Sequence, residues 1–555
     1  MQPRFGTAPM SEHRVCDRSF SPTSAAWFRP DLRLRDLTRS QPDRIALIFR
    51  GASLSYRTLW ERVETLAAGL VRRGASRGDR IACVCGNHPA FVELYFACSM
   101  IGSIFVPLNA RLAPPELVFQ LEDTSPALLF LGPGLGDLEA GLRSCGWKGE
   151  AAVFCMDRGP AGRTHSYESL FGHGSLPEAE GWLRPSNPED PQMILFTSGT
   201  AGLPKGAVLP YRKTLYNSLN AEVFFELSVE DRVLVPVPLF HSLGLNILTV
   251  PVLLTGGTVI LQERFDEEMT LRLAEEWKAT FLGAVPTIYQ RLLRKGLDKR
   301  DLSSLRFCFT AGAPIAMPVI EAYHRRGLLL KQGYGQTETS ILCCLDARDA
   351  LRKAGSVGKP VRHGKVRVVD EQGRDVEPGR VGEIVAQGPI VMLGYWNRPE
   401  ETARVLRAGW LHTQDLATVD AEGFVTLVGR KGDLYISGGE NIHPEEIERL
   451  YRTHPSIQDL AVIGVPDPDL GETGLAFVVA EPGANLSEAE LRAFAEGRIG
   501  RYKIPRTFVF VDALPRTVTG KVQKYLLRRK AREDFWEKNP AVPRDQPGGR
   551  NGKIP

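Results

Sequence analysis

QMILFTSGTAGLPKG, residues 192–206, places a short apolar run directly before a loop of glycines, hydroxyl residues and one lysine. The run Gln192–Phe196 reads as a strand, and the glycine-rich loop after it cannot continue it. Glycines let successive backbone N–H groups turn toward an anion. Thr197, Ser198 and Thr200 add three hydroxyl donors, Gly199 and Gly202 add backbone freedom, and Lys205 adds a point charge. Many donors without a carboxylate is the combination that a polyphosphate requires. The segment is not a Walker A loop, because Pro204 stands where G-x-x-x-x-G-K-[ST] needs a glycine. In composition alone it equally fits a polar surface turn, so its surroundings decide.

Outward from this loop, strand-like runs at Arg80–Val84, Ala127–Leu131 and Arg232–Pro236 alternate with helical patterns, and several end at Gly- or Pro-containing loops. Sheets of α/β type place ligand sites at such strand ends. One helix is clear: Leu59, Val63, Leu66 and Leu70 share a face, with Ser55 as N-cap and Gly74 past the end. Residues 364–387 alternate apolar and polar around glycine turns and read as antiparallel strands. After Arg430 the pattern restarts on a smaller scale. Pro444 opens a helix, Leu460–Val465 and Leu475–Ala480 read as strands, and Ser487 with Glu490 forms a capping box. The expected fold is therefore α/β. A large N-terminal domain of several subdomains, with β-sheets and helices (31–431), precedes a small α+β C-terminal domain (432–530). Loose tails are expected at 1–30 and 531–555.

The bulk properties exclude some classes. A chain of 555 residues is too long for one core. Its 69 basic against 65 acidic residues give no reason to expect nucleic acid as partner. The nine cysteines lack zinc spacing and read as thiols of a reducing cytoplasm. The first residues hold no secretory apolar run, and Met10 offers a second possible start. The run Leu243–Leu261 nearly reaches membrane-spanning length, but Asn246, Pro251, Gly256 and Gly257 divide it. It reads as a buried helix followed by a strand. No integral membrane segment is expected, and the oligomeric state stays open, a homodimer among the options.

Further segments occur along the chain in this order: PLFHSLG (238–244), AGAP (311–314), GYGQTE (333–338), GYW (394–396), GWLHTQD (409–415), GRKGD (429–433), SGGENIHPEEIE (437–448) and PRTVTGK (515–521). With the loop at Thr197, this ordered set resembles the adenylate-forming superfamily, in its acyl-CoA synthetase branch. The resemblance spans roughly residues 30–530. It implies an AMP-forming carboxylic acid–CoA ligase that uses ATP, Mg2+ and coenzyme A on a small-molecule acid. It leaves open an enzyme that loads a separate carrier protein. A luciferase-like oxygenase and a nucleotide-sensing scaffold are further rivals.

The resemblance also implies roles. The attacking carboxylate and the α-phosphate repel, by about 4 kcal/mol per like-charge pair near 4 Å at an effective dielectric of 20. Cations and aligned donors must offset this. Residues Thr197–Gly206 would hold the β- and γ-phosphates, Glu338 the Mg2+, and Thr337 the α-phosphate, while Lys521 would bridge carboxylate and phosphate. Asp415 and Arg430 would grip the ribose. Ala313, Pro314 and Tyr334 would line the adenine slot, and Gly312, Gly333, Gly335 and Gln336 would belong to the ATP- and AMP-binding site. His241 would stand near the reacting carboxylate, as a wall or gate of the acyl pocket rather than a general base. That pocket would also take Gly283, Val285, Pro286, Gly312, Gly333 and Ile341, and its apolar character points to a fatty or aromatic acid.

For the second step the small domain would swing about Gly432. Ser437, Gly438 and Gly439 would then border the pantetheine tunnel, with Tyr502 and Arg506 at the CoA nucleotide. Four positions depart from the pattern: Gly432, Leu470 in place of a common Trp, Pro210-Tyr211, and Ala201. Leu470 weakens any expectation that CoA adenine is stacked there.

Overall fold

The computed structural model describes residues 28–157, 165–172, 187–197, 204–312, 315, 317–430, 435–442, 444–451, 453–515, 522 and 524–532. Among these residues the strands form four sheets. The first runs, in spatial order, Gly394–Tyr395, Lys205–Pro210, Pro191–Thr197, Ile104–Asn109, Arg80–Cys85, Leu128–Leu131, Ala152–Cys155 and His165–Ser166. Its inner strands are parallel and nearly all buried, as expected of a sheet covered on both faces. The chain leaves Arg80–Cys85 toward one neighbour and leaves Ile104–Asn109 toward the other side. The two strand ends therefore flank a crevice, the usual ligand position in such sheets.

The second sheet has a parallel centre, Leu330–Gln336, Phe307–Thr310, Phe281–Ala284, Arg232–Val235 and Thr258–Leu261, extended at both edges. One continuous apolar core underlies both large sheets. A third sheet holds Lys365–Val369 and Gly382–Gln387 as an antiparallel pair, as their alternation predicts, with Trp410–Val419 beside them. The fourth sheet belongs to the small C-terminal domain. There Ile457–Asp467 and Gly471–Ala480 form a long antiparallel pair, and the helices Pro444–Tyr451 and Glu488–Ala495 pack on a core of its own.

Local rules hold where they are strongest. The helix Tyr56–Arg72 is capped by Ser55, whose hydroxyl accepts from the Thr58 N–H. Ser487 and Glu490 satisfy each other's backbone donors at the start of Glu488–Ala495. The divided run resolves into a π-helical turn Leu243–Thr249, a helix Val250–Thr255 and a strand Thr258–Leu261. Among the described residues no helix is long and apolar enough to cross a membrane.

Two tail boundaries need correction. Residues 28–30 are part of the fold: Phe28 packs on Tyr211, and buried Arg29 pairs with Asp31 and donates to the Met100 carbonyl. A buried ion pair with its hydrogen bonds satisfied holds this segment against the body. At the other end, Ala531 is buried beside Leu527, so the helix Lys524–Ala531 reaches one residue beyond the expected limit. Residues 1–27 and 533–555 lie outside the described ones.

Candidate active site

The GYGQTE segment is the edge of a hairpin, Leu330–Gln336 against Ser340–Cys344, with a register shift between Tyr334 and Gly335. A Cβ at Gly335 would lie 1.9 Å from the Ser340 carbonyl oxygen, so only glycine permits this close return of the chain. The turn delivers Gln336, Thr337 and Glu338 to a cavity of about 1270 Å3 that both domains line.

On one side of this cavity stands a carboxylate cluster. Glu338 Oε1 accepts from the Tyr395 hydroxyl at 2.9 Å and lies 3.4 Å from the Thr197 hydroxyl. Asp415 is nearly buried. Its Oδ2 accepts from the Tyr334 hydroxyl at 2.7 Å and from Gln336 Nε2 at 2.5 Å. Tyr334 is thus anchored at its hydroxyl while it lines the cavity. The Arg430 backbone pairs with Asp415 across two antiparallel strands. Lys205 opens the strand Lys205–Pro210. Its Nζ sits 5.2 Å from the Tyr395 ring centre and 3.8 Å from Glu401 Oε2, beside the cavity lining rather than in it.

Among the described residues no group of three or more His, Cys, Asp or Glu could hold a metal. One half-buried carboxylate with hydroxyls beside it suits Mg2+, which takes few protein ligands and completes its shell with phosphate oxygens and water. Glu338 fits that role.

The opposite side is built by the C-terminal domain. Ser437, Gly438 and Gly439 line the cavity, and Gly439 faces the side chain of Val285. The next residue, Glu440, is almost fully buried and spans the two domains. His241 Nε2 lies 2.9 Å from Glu440 Oε2, and Arg111 Nη1 donates to Oε1 at 3.2 Å. Burial pushes the Glu440 carboxyl up. His241, by charge and hydrogen bond, then Arg111 and Lys503, outweigh this and hold it below the usual carboxylate range. An ionised carboxylate only accepts, so His241 presents an N–H to it at Nε2.

The loop that carries His241 is itself held by Asn87, at the end of Arg80–Cys85. Asn87 donates to the Val237 and Gln262 carbonyls at 2.9 and 2.8 Å and accepts from the Leu239 N–H at 2.8 Å.

Of the expected acyl pocket, His241, Val285, Gly312, Gly333 and Ile341 line the cavity, together with Phe240, Ile247 and Phe309. Gly283 and Pro286 do not. The face on which Gly283 would carry a side chain is filled by Leu248, and Pro286 is buried at the start of its helix. Tyr502 and Leu470 line the cavity near the C-terminal loop, whereas Arg506 pairs with Asp467 outside it. Ser198, Gly199, Thr200, Gly202, Ala313, Pro314, Gly432 and Lys521 lie outside the described residues.

Sequence reasoning missed Glu440, Arg111 and Asn87. Glu440 offered a signal: it is the carboxylate in a glycine-rich loop otherwise made of small residues. Arg111 and Asn87 offered none, because their partners lie more than a hundred residues away.

This fold and site define an adenylate-forming enzyme of two domains, and comparison with known proteins agrees. The family described as AMP-binding enzyme matches residues 34–396, and its C-terminal domain matches residues 446–521. The chain belongs to this AMP-binding enzyme family. It is 40% identical to feruloyl-CoA synthase from Amycolatopsis sp over 494 residues, which cover 89% of this chain and 97% of the relative. It is 39% identical to indoleacetate–CoA ligase from Aromatoleum aromaticum, over 90% of this chain and 97% of the relative. Among solved structures, o-succinylbenzoate CoA synthetase from Bacillus subtilis, a double mutant bound with its product analogue, matches with TM-score 0.80 at 29% identity. That alignment covers 90% of this chain and 98% of the other. The same enzyme in complex with its acyl-adenylate intermediate matches with TM-score 0.66 at 29% identity, over 89% and 97% of the two chains.

Proposed function

We propose that this carboxylic acid–CoA ligase acts on an aromatic acid, with ATP and Mg2+, in the cytosol, and that both half-reactions use the one cavity. The observation that carries the reading is the continuity of that cavity. It joins Glu338 and Asp415, assigned to the nucleotide, to Ser437–Glu440, assigned to the acceptor, with His241 also in its lining and in contact with Glu440. An aromatic acid is supported by the walls of Phe240, Ile247, Val285, Phe309 and Ile341, and by relatives named for ferulate and indoleacetate. A cytosolic setting is supported by the reduced thiols of Cys83, Cys85, Cys98, Cys308, Cys343 and Cys344.

In the first step a carboxylate oxygen attacks the α-phosphorus of ATP, an acyl–O–P bond forms, and pyrophosphate leaves. Glu338 would hold Mg2+, which supplies charge neutralisation on the phosphates. Asp415 accepts from the ribose hydroxyls when its bonds to Tyr334 and Gln336 rearrange. Lys521 bridges the two anions in the transition state. In the second step the CoA sulfur attacks the acyl carbonyl carbon and AMP leaves. His241 takes the thiol proton at Nδ1, while Glu440 fixes the ring through Nε2 and stabilises the imidazolium. This role differs from the expectation that His241 is a wall or gate of the acyl pocket rather than a general base, and the contact with Glu440 supports it. The product-analogue complex superposes better than the acyl-adenylate complex, which supports reading the present arrangement as that of the second step.

The test is acid-dependent pyrophosphate release, with and without CoA, over short, medium, long and aryl acids. The reading expects aryl acids to lead and acyl-CoA to accumulate. A preference for long aliphatic acids would overturn the substrate class, and pyrophosphate release with no CoA thioester would overturn the acceptor.

A further inference from the structure

Beyond the reacting groups, a second set of charges crosses between the domains, and the two-step reaction does not use it. Lys503 is nine-tenths buried in the C-terminal domain. Its Nζ donates at 2.6 Å to Glu446 of its own domain and at 2.6 Å to Glu116 of the large domain. Glu116 sits in the first turn of the helix Pro114–Thr124, where its other oxygen accepts from the Ala113 N–H at 2.9 Å. That oxygen is therefore committed to the helix cap, and the carboxylate is fixed before Lys503 arrives.

The neighbouring ties fall on the same short piece of chain. Asn109 donates to the Tyr502 hydroxyl at 3.3 Å, and Arg111 reaches Glu440 at 3.2 Å. Segment 109–116 leaves the strand Ile104–Asn109 at the crevice of the first sheet. It thus holds three residues of the C-terminal domain: Tyr502, Glu440 and Lys503.

We propose that Lys503 and Glu116 are positioning residues for thioester formation: a buried charge latch that seats the C-terminal domain so that Glu440 meets His241. This rests on the two-step reading above. The chemistry gives the latch its direction. Glu116 and Glu446 share one ammonium, so the docked arrangement is stable only while Lys503 lies between them. Withdrawing Lys503 from Glu116 leaves it paired with Glu446 inside its own domain, and leaves Glu116 on the surface of the large domain, where water can solvate it. The latch can therefore open without stranding a buried charge. Removing one of its groups by mutation, in the docked state, strands one.

Glu116→Gln keeps an oxygen for the Ala113 N–H and removes the charge. Single-turnover rates are measured for pyrophosphate release and, from supplied acyl-adenylate, for thioester formation. Pyrophosphate release is expected to stay within about twofold while thioester formation slows about tenfold or more, and combining Glu116→Gln with Lys503→Gln is expected to slow it by much less than the product of the two single losses. Equal slowing of both steps, or single losses that simply multiply in the double variant, would overturn the latch. A second readout does not depend on the reaction. Electron–electron distances are measured between spin labels on exposed Cys145 and on Glu496→Cys, in a Cys16→Ser background. The wild-type docked distance should lose population in Glu116→Gln. An unchanged distribution would overturn the latch even if wild-type protein formed no thioester, an outcome that would separately remove the two-step reading.

Discussion

Replacing Gly439 by alanine should slow thioester formation and spare adenylation, and the size of the effect can be worked out from two contacts. Gly439 has φ +85°, a region in which an L side chain costs about 1–2 kcal/mol. That cost belongs to the loop and is carried in every arrangement of the domains. A second cost belongs to the docked arrangement alone. The new Cβ would lie 3.1 and 3.3 Å from the two γ-carbons of Val285, across the domain boundary. These distances are tight without being impossible, so relief requires a shift of a few tenths of an ångström, at about 1–2 kcal/mol. At about 1.4 kcal/mol per factor of ten, the docked state loses roughly 5- to 30-fold in the second step. Single-turnover mixing of supplied acyl-adenylate with CoA reads that step, and pyrophosphate release reads the first. The double variant with Val285→Ala removes both γ-carbons, so it should recover the thioester rate while keeping the loss of thermal stability caused by the strained φ. If the single variant slows both steps alike, or if Val285→Ala recovers nothing, the contact does not govern docking and the reasoning fails.

The remaining predictions can be checked together. Lys521→Ala should lose adenylation far more than thioester formation from supplied acyl-adenylate; comparable losses would contradict a bridging role. Glu338→Gln should raise the Mg2+ concentration for half-maximal pyrophosphate release by roughly tenfold or more, and an unchanged Mg2+ profile would remove Glu338 from the metal site. Lys213 is fully buried against the Ser340 hydroxyl, and burial pushes its ammonium down from 10.5 to about 7. Between those values the unfolded chain binds the extra proton, so native stability rises with pH across that window and the burial penalty is largest below it. Urea unfolding of wild type against Lys213→Met from pH 6 to 10 should therefore show the wild type gaining on the variant, by roughly 2–4 kcal/mol. Parallel curves would show that Lys213 is not held uncharged.

Much of this protein is local information. The cap at Ser55, the box at Ser487 and Glu490, the alternation in 364–387 and the glycine turn at Gly335 each need only a few adjacent residues, because backbone donors are satisfied over short distances. Family membership was legible for the same reason, because each of the ordered motifs is a short contiguous run of residues. Other features were not legible. Gly283 looked like a pocket wall until Leu248 occupied its open face, and the last residues of the expected N-terminal tail are held by Phe28 packing on Tyr211 and by Arg29 donating to the Met100 carbonyl. Neither outcome depends on neighbours in the chain.

The sequence by itself determined the class of chemistry, the two-domain plan and the strands that end at the site, since periodicity, capping and motif order are carried by contiguous residues. Only the tertiary structure decided that Glu440 reaches His241, that Asn87 holds the loop beside it, and that Lys503 is shared between Glu116 and Glu446. These pairs join residues as much as 387 positions apart. Coulomb attraction and hydrogen bonding act over a few ångströms of space, and sequence separation does not record which side chains come that close.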